Sequence, residues 1–359
     1  VPNNMAICLS GDFDPDEMVS IIEKYFGQME PNQNLPELNL ETKSVIETPQ
    51  SKDVYGIDSE LVMIGWKYPG AGTDEALVAS VVSYILYNGS AGLIDLNLNQ
   101  QQKVLGAQSE AYTRPDAGEF ILLAEGKEGQ TLEEVRDLLL AEVAKLRNGE
   151  FDETVIEGTI NNLKLSLMSQ LENNSDRADM YVQSFISGTD WADEVAWIDN
   201  LSKVTKQDVI DWANKYLGEN SYAVVYKRMG EDKNVQKVNA PKITPIKANR
   251  DAQSAFLAEI KASEVKPIEP VFVDYDKDMK QFEAEGLNVL YAENDINDIA
   301  DVTYRFNTGT EKDPALNLAF SYLSYLGTPT MSAEEIAQMD AVIAEKKRVF
   351  AETYQILSE

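Results

Sequence analysis

The stretch from residue 73 to residue 149 constrains this 359-residue chain more than any other. Its apolar spacing changes period several times. Residues 75–87 show the three-to-four-residue spacing of a helix. Asn88-Gly-Ser-Ala-Gly92 interrupts it, because glycine lowers helix propensity and favours turns. Residues 93–102 resume a helical pattern. Residues 107–113 and 119–124 read as two strands joined through Arg114-Pro-Asp-Ala-Gly118, and 132–147 as a long helix. Two strands flanked by helices require a sheet with helices packed on it. The apolar phases of these elements predict Ile121, Leu123, Leu139 and Leu140 in the core.

The other segments are placed around this unit. Residues 4–9 form a short apolar strand pattern, and Gly11-Asp-Phe-Asp14 turns the chain. Asp14 is a helix N-cap, Pro15 suits the first helical position, and Glu17 completes a capping-box spacing. Met18, Ile21, Ile22, Tyr25 and Phe26 recur at helical spacing, and Gly27 ends the helix. One strand and one helix bury no core, so residues 1–35 read as the C-terminal end of a preceding domain. Residues 28–53 read as a linker rich in Pro, Asn and Glu, and 61–68 as a strand. Helical patterns cover 151–171, 175–187, 192–201 and 206–217, with Thr205 as an N-cap and Gly218 as a C-cap. Residues 221–228 close the domain with a strand. Early strands and late helices predict an α+β domain over 36–228, an antiparallel sheet with helices on one face. Residues 229–269, with Pro241, Pro245 and Pro267, read as a linker holding a helix at 250–262. From 270 to 359 a further domain begins. It shows a hairpin over 281–292 around Gly286, a strand at 301–307, a helix at 313–326 and helical composition at 333–358.

Composition narrows the function. The formal charge of −30 argues against nucleic acid and anionic membranes, which need cationic faces; it would favour cationic peptides, but more often such a charge serves only solubility. No run of about 18 apolar residues occurs, so no membrane span is expected. One cysteine, Cys8, allows no disulfide within the chain, and its apolar surroundings predict a buried structural thiol. The chain contains no histidine. That removes serine–histidine and cysteine–histidine catalysis and every histidine-ligated zinc site. Two acidic runs have the spacing of a calcium loop: Asp274, Asp276 and Asp278 with Glu285, and Asp12, Asp14 and Asp16 with Glu23. The sixth position, which needs glycine, holds Met279 in one and Glu17 in the other. Strand ends and a helix cap account for them better. Carboxylate pairs for glycoside hydrolysis form only in the fold, and 61 acidic residues single out no pair.

The order of these parts resembles the insulinase/pitrilysin family of zinc peptidases, the inverzincins. The resemblance is carried by residues 1–27, by the helix–glycine turn–strand of 84–112, and by 125–153, 222–228, 286–290 and Phe306-Asn-Thr-Gly-Thr310. It implies repeated two-layer α+β domains in two halves that close over an unfolded peptide. Zinc is held by an H-x-x-E-H helix in the first domain, and this chain would start after that helix. The corresponding helix of the third domain places the motif on Phe320, Leu323 and Ser324, which supply no ligand. The family's Arg…Tyr pair, which assists the transition state, falls near Asn99 and Ala107 and is absent. No catalytic, cofactor-binding or metal residue is therefore assigned.

The expectation is an interior, non-catalytic portion of a zinc-dependent peptidase. It would wall a peptide chamber, be inactive alone, and take zinc only in a preceding domain. Its partners would be a peptide substrate and the neighbouring domains. The alternative is a stand-alone inactive homologue that binds a protein or peptide. A bacterial periplasm or cell envelope is the expected location.

Overall fold

The computed structural model describes residues 1–36, 46–89, 91–233, 239–246, 248–250, 252–265, 267–323 and 325–333. They form two compact units, 1–232 with 296 onward, and 233–295. The first unit begins with a 3-10 turn, Pro2–Asn4, and helix α1, Pro15–Phe26. The Asp14 carboxylate caps α1, accepting from the Asp16 and Glu17 N–H groups at 2.9 and 3.0 Å.

Strands β1, Gln50–Gly56, and β2, Leu61–Tyr68, come next, followed by α2, Asp74–Leu86, and a π-helical turn, Asp95–Asn99. β3, Gly106–Thr113, β4, Gly118–Glu125, and α3, Leu132–Arg147, complete the central unit. Helices α4, Thr154–Gln170, α5, Asn174–Ser187, α6, Trp191–Val195, α7, Trp197–Leu201, and α8, Lys206–Tyr216, lead to β5, Ala223–Met229. The strands form one sheet in the order β1-β5-β2-β4-β3. The α+β expectation holds, with one difference. β1 runs parallel to β5, while the other pairs are antiparallel. Its first four residues, Gln50 to Asp53, also shorten the linker expected over 28–53.

Helices α2, α3 and α8 pack on one face of the sheet. That face carries Val62, Ile64, Trp66, Tyr68, Phe120, Leu122, Ala124, Val224 and Tyr226, all buried. Tyr68 and Phe120 meet the Trp212 ring edge-on, with centroids 5.6 Å apart in each pair. Both indoles in this core are satisfied: Trp212 Nε1 donates to Glu75 O at 2.9 Å and Trp66 Nε1 to Gly218 O at 3.1 Å. Gly118 is required beside them, because a Cβ there would lie 2.1 Å from the Tyr68 ring.

Ile121 and Leu123 are not in this core. They lie half-buried on the opposite face, with Leu61, Met63 and Val225. Residues 120–124 are apolar at every position, so alternation alone sets no phase. Phe120 sets it, lying opposite Trp66 in the register and against Trp212. Leu139 is fully buried and Leu140 half-buried, packed at the margin of the core.

Two expected strands are not formed. Residues 4–9 and 301–307 pair with no strand among the described residues. Met5, Ile7 and Leu9 are exposed, as are Val302, Tyr304 and Phe306, and Cys8 is only half-buried. The helix expected over 192–201 divides at Ala196 into α6 and α7.

The second unit holds α9, Ala255–Ala262, α10, Tyr275–Asp278, and the expected hairpin of β6, Lys280–Ala284, and β7, Leu287–Tyr291. α9 starts later than expected, where Ser254 caps it. The hairpin turns through Glu285 and Gly286, both with positive φ, as a two-residue turn between twisted strands requires. Helix α11, Ala315–Leu323, belongs to the first unit. The helical composition at 333–358 lies almost wholly outside the described residues.

Candidate functional site

The site is built where α2 ends and β3 begins. The Thr73 hydroxyl caps α2 at its start, accepting from Ala76 N–H at 3.2 Å. After Leu86 the chain folds back on itself, and a Cβ on Gly92 would lie 2.5 Å from Leu86 O. This reversal leaves backbone N–H groups that need an acceptor. The Asp95 carboxylate supplies it, taking the N–H groups of Asn88, Gly89 and Gly92 at 2.9, 3.1 and 3.0 Å. Asp95 is 4% exposed. Burial pushes its pKa above the usual aspartate range, and the three N–H groups pull against that shift.

The π-helical turn carries two further polar anchors. Asn97 Nδ2 donates to Glu142 at 2.7 Å, and Lys145 Nζ donates to the same carboxylate at 2.9 Å. Glu142 is 2% exposed, so this group ties the turn to α3 from within the core. Asn99 faces β3. Its Nδ2 donates to Ala107 O, and its Oδ1 accepts from Ala107 N–H, both at 2.8 Å. Asn99 thus pairs with Ala107 as a neighbouring strand would.

That pairing fixes which backbone groups of β3 face outward. β3 is the last strand of the sheet, so one of its sides has no strand partner. Both backbone groups of one residue point to the same side of an antiparallel strand, and successive residues alternate. Ala107 points outward, toward Asn99. At the other end Arg114 points inward, its N–H donating to Ala117 O at 3.1 Å. Both ends give the same alternation. The N–H and C=O groups of Ser109, itself 7% exposed, and of half-buried Ala111 therefore point to the side of β3 that has no strand partner. Beside them lies a cleft of about 380 Å³ between α2 and β3. Its walls include Ser83, Tyr84, Tyr87, Gln108, Ser109 and Glu110. Ser109 Oγ donates to Ser83 O at 2.8 Å, which gives the cleft a polar floor.

The polar groups of the arrangement hold its own backbone in place, and among the described residues it contains no nucleophile–base pair. Asn99 and Ala107, which fall near the family's transition-state pair, are brought together here as a structural clasp. Phe320 and Leu323, at two places of the degenerate motif, are exposed on α11, and Ser324 lies outside the described residues. Asp274 caps α10, accepting from Asp276 N–H at 3.2 Å and pairing with Lys277 Nζ at 2.7 Å. Asp14 caps α1. Among the described residues no three His, Cys, Asp or Glu side chains cluster as a metal site, and these residues do not fit a zinc ion. Among them, too, no helix is long and apolar enough to cross a membrane. Sequence reading missed Asp95 and the outward pair Ser109 and Ala111. The signal for Asp95 was present: a carboxylate three residues past a double-glycine break is placed to cap it.

Comparison with known proteins bears on the fold. Residues 1–163 match the family model described as the peptidase M16 inactive domain. The zinc protease PqqE of Helicobacter pylori is 24% identical over 239 residues, 63% of this chain and 51% of that protein. The crystal structure of a protease from Helicobacter pylori superposes with a TM-score of 0.57 at 18% identity, over 61% of this chain and 54% of that one. A peptidase M16 inactive domain from Pseudomonas fluorescens gives 0.52 at 13% identity, over 60% and 51%. These two structures share the fold. The chain spans about half the length of the relatives it matches.

Proposed function

We propose that this chain is the non-catalytic wall of a peptide chamber in a zinc-dependent M16-type peptidase, and that the outer edge of β3 receives the substrate as an added strand. The observation that carries this reading is the open edge at Ser109 and Ala111, beside a cleft and ended by the Asn99 clasp. An extended peptide would continue the sheet there, pairing its main chain with Ser109 and Ala111. The clasp at Ala107 would stop the pairing in that direction. Hydrolysis needs an activated water or nucleophile, and a preceding domain of the same protein would supply the zinc for it.

The test uses a fluorescent, unstructured peptide. The chain alone should bind it without cutting. N-methylation of alternate peptide amides should abolish binding in one phase and spare it in the other. Adding the preceding domain should give cleavage that a zinc chelator stops. Chelator-resistant cleavage by the chain alone would refute the reading, as would binding indifferent to N-methylation.

A further inference from the structure

We infer that the outer edge of β3 selects extended peptides by the alternation of their side chains. Apolar residues pair with Ser109 and Ala111 and fill the cleft beside α2, and a lysine or arginine between them pairs with Glu110 on the opposite face of the sheet. This rests on the peptide-binding reading above and adds to it the pattern of residues selected.

The two faces of β3 differ in chemistry. Successive side chains of a strand point to opposite faces. Ser109 is on the α2 side, where its Oγ donates to Ser83 O, and Ala111 shares that side. Glu110 is on the other face, opposite Ile121 in the register with β4. The Tyr112 hydroxyl donates to the Glu110 carboxylate on that same face. A residue of an added strand carries its side chain on the same face as the residue it pairs with. An antiparallel peptide would therefore turn the side chains opposite Ser109 and Ala111 toward α2, and the one opposite Glu110 away from it.

The α2 side of the cleft is uncharged, walled by Ser80, Tyr84, Tyr87 and Asn88. Its serine and asparagine groups are already engaged. Ser80 Oγ donates to Leu77 O at 2.7 Å, Asn88 Nδ2 to Tyr84 O at 3.1 Å, and the Ser83 and Ser109 hydroxyls meet at 3.4 Å. Covering such satisfied groups costs little, whereas a charge placed among them would lose its water without gaining a partner. What an incoming side chain can gain is apolar contact with the half-buried Tyr84 and Tyr87 rings. A leucine side chain fits a cleft of about 380 Å³.

On the opposite face the balance is reversed. Glu110 is exposed, and among the described residues its carboxylate has the Tyr112 hydroxyl and no cation as partner. A carboxylate has lone pairs for a second donor. Opposite charges directly across two strands attract, and the formal charge of −30 favours a basic residue at this exposed place.

The experiment is a fluorescence-anisotropy titration of the full chain with labelled peptides of about twelve residues, Gly, Ser and Thr around a central Leu-Lys-Leu (enough to span β3 with overhangs). A Leu-Leu-Lys peptide has the same composition and charge but breaks the alternation. Leu-Lys-Leu should bind about three- to fivefold tighter than Leu-Leu-Lys. In an antiparallel pair the peptide amides that reach β3 belong to the residues opposite Ser109 and Ala111. N-methylation of the two leucines should therefore abolish binding, and N-methylation of the lysine should spare it. Glu110→Gln should reduce the preference for Leu-Lys-Leu over Leu-Ser-Leu about threefold. Glu110→Lys should make Leu-Glu-Leu bind tighter than Leu-Lys-Leu. Circular dichroism establishes that both variants fold. Equal binding of Leu-Lys-Leu and Leu-Leu-Lys, with N-methylation of the leucines still abolishing it, overturns the alternation and leaves the strand-edge reading standing. Loss of binding on methylating the lysine instead of the leucines overturns the assignment of faces and likewise leaves strand addition standing. Binding indifferent to N-methylation, or no binding of any peptide at millimolar concentration, overturns both.

Discussion

Residues 50–229 and residues 1–27 carry similar local signals and meet different ends. Both contain a well-capped helix and an alternating apolar segment. In the first region the strands find partners, and Trp66, Tyr68, Phe120 and Leu122 are buried completely. In the second, α1 forms with its Asp14 cap but buries no residue, and Val19, Ile21, Tyr25 and Phe26 stay exposed. The segment before α1 stays extended without a ladder. A helix satisfies its own backbone, whereas a strand must borrow a neighbour. Residues 301–307 repeat the lesson with Val302, Tyr304 and Phe306. Those apolar side chains leave α1 with an exposed apolar surface.

The comparison is broken or sharpened by substitutions on its two sides. Phe120→Ala should cost the most, about 3–5 kcal/mol in chemical denaturation, because a fully buried ring leaves a cavity. Ile121→Ala, one residue along on the open face, should cost less than half of that. Equal losses would show the strand phase described here to be wrong.

Glu142→Ala comes next, at roughly 1–3 kcal/mol, since it leaves Asn97 and Lys145 without their acceptor and loosens the π-helical turn. Hydrogen exchange should quicken in the turn before it does in the sheet.

Asp95→Asn should destabilise through its lost N–H acceptors, and the size of that loss should depend on pH. Burial raises the folded-state pKa of Asp95. In the window between the unfolded value, about 4, and the raised folded value, the native state holds more of that proton than the unfolded state does. The parent chain therefore loses stability as pH rises through this window, and the asparagine variant does not. The gap between them should narrow with rising pH, and a gap that widens would contradict the burial argument.

Asp14→Ala is the smallest. It should fray α1, seen as lost helical signal, while the unfolding midpoint of the sheet domain moves by no more than about 0.5 kcal/mol.

Much of the fold was legible because its signals are local. The α3 boundaries, the β2 boundaries and the Thr205 cap of α8 follow from spacing and capping chemistry alone. β1 was not legible, because Gln50-Ser-Lys-Asp53 is polar and becomes a strand only by pairing with β5. The phase of β4 was hidden by five consecutive apolar residues. At the candidate site, the glycine break and its flanking elements stood out. The clasp of Asn99 on Ala107 did not, since no pattern announces a side-chain amide that imitates a backbone. The outward face of Ser109 and Ala111 follows from that clasp and so was equally hidden.

The pairing of β1 with β5 also sets a timetable. Arg228 on β5 holds Asp53 on β1 at 2.5 Å and Glu133 on α3 at 2.6 Å, and the first of these contacts joins residues 175 apart in the chain. During synthesis at about 5–20 residues per second, β1 leaves the ribosome on the order of ten to thirty-five seconds before its partner does. The β2–β4–β3 meander and α2 are already complete by then, and closing so long a loop is slow even afterwards. β1 should be the last strand to lock, and protease cleavage of nascent chains should fall in residues 46–60 until β5 has emerged.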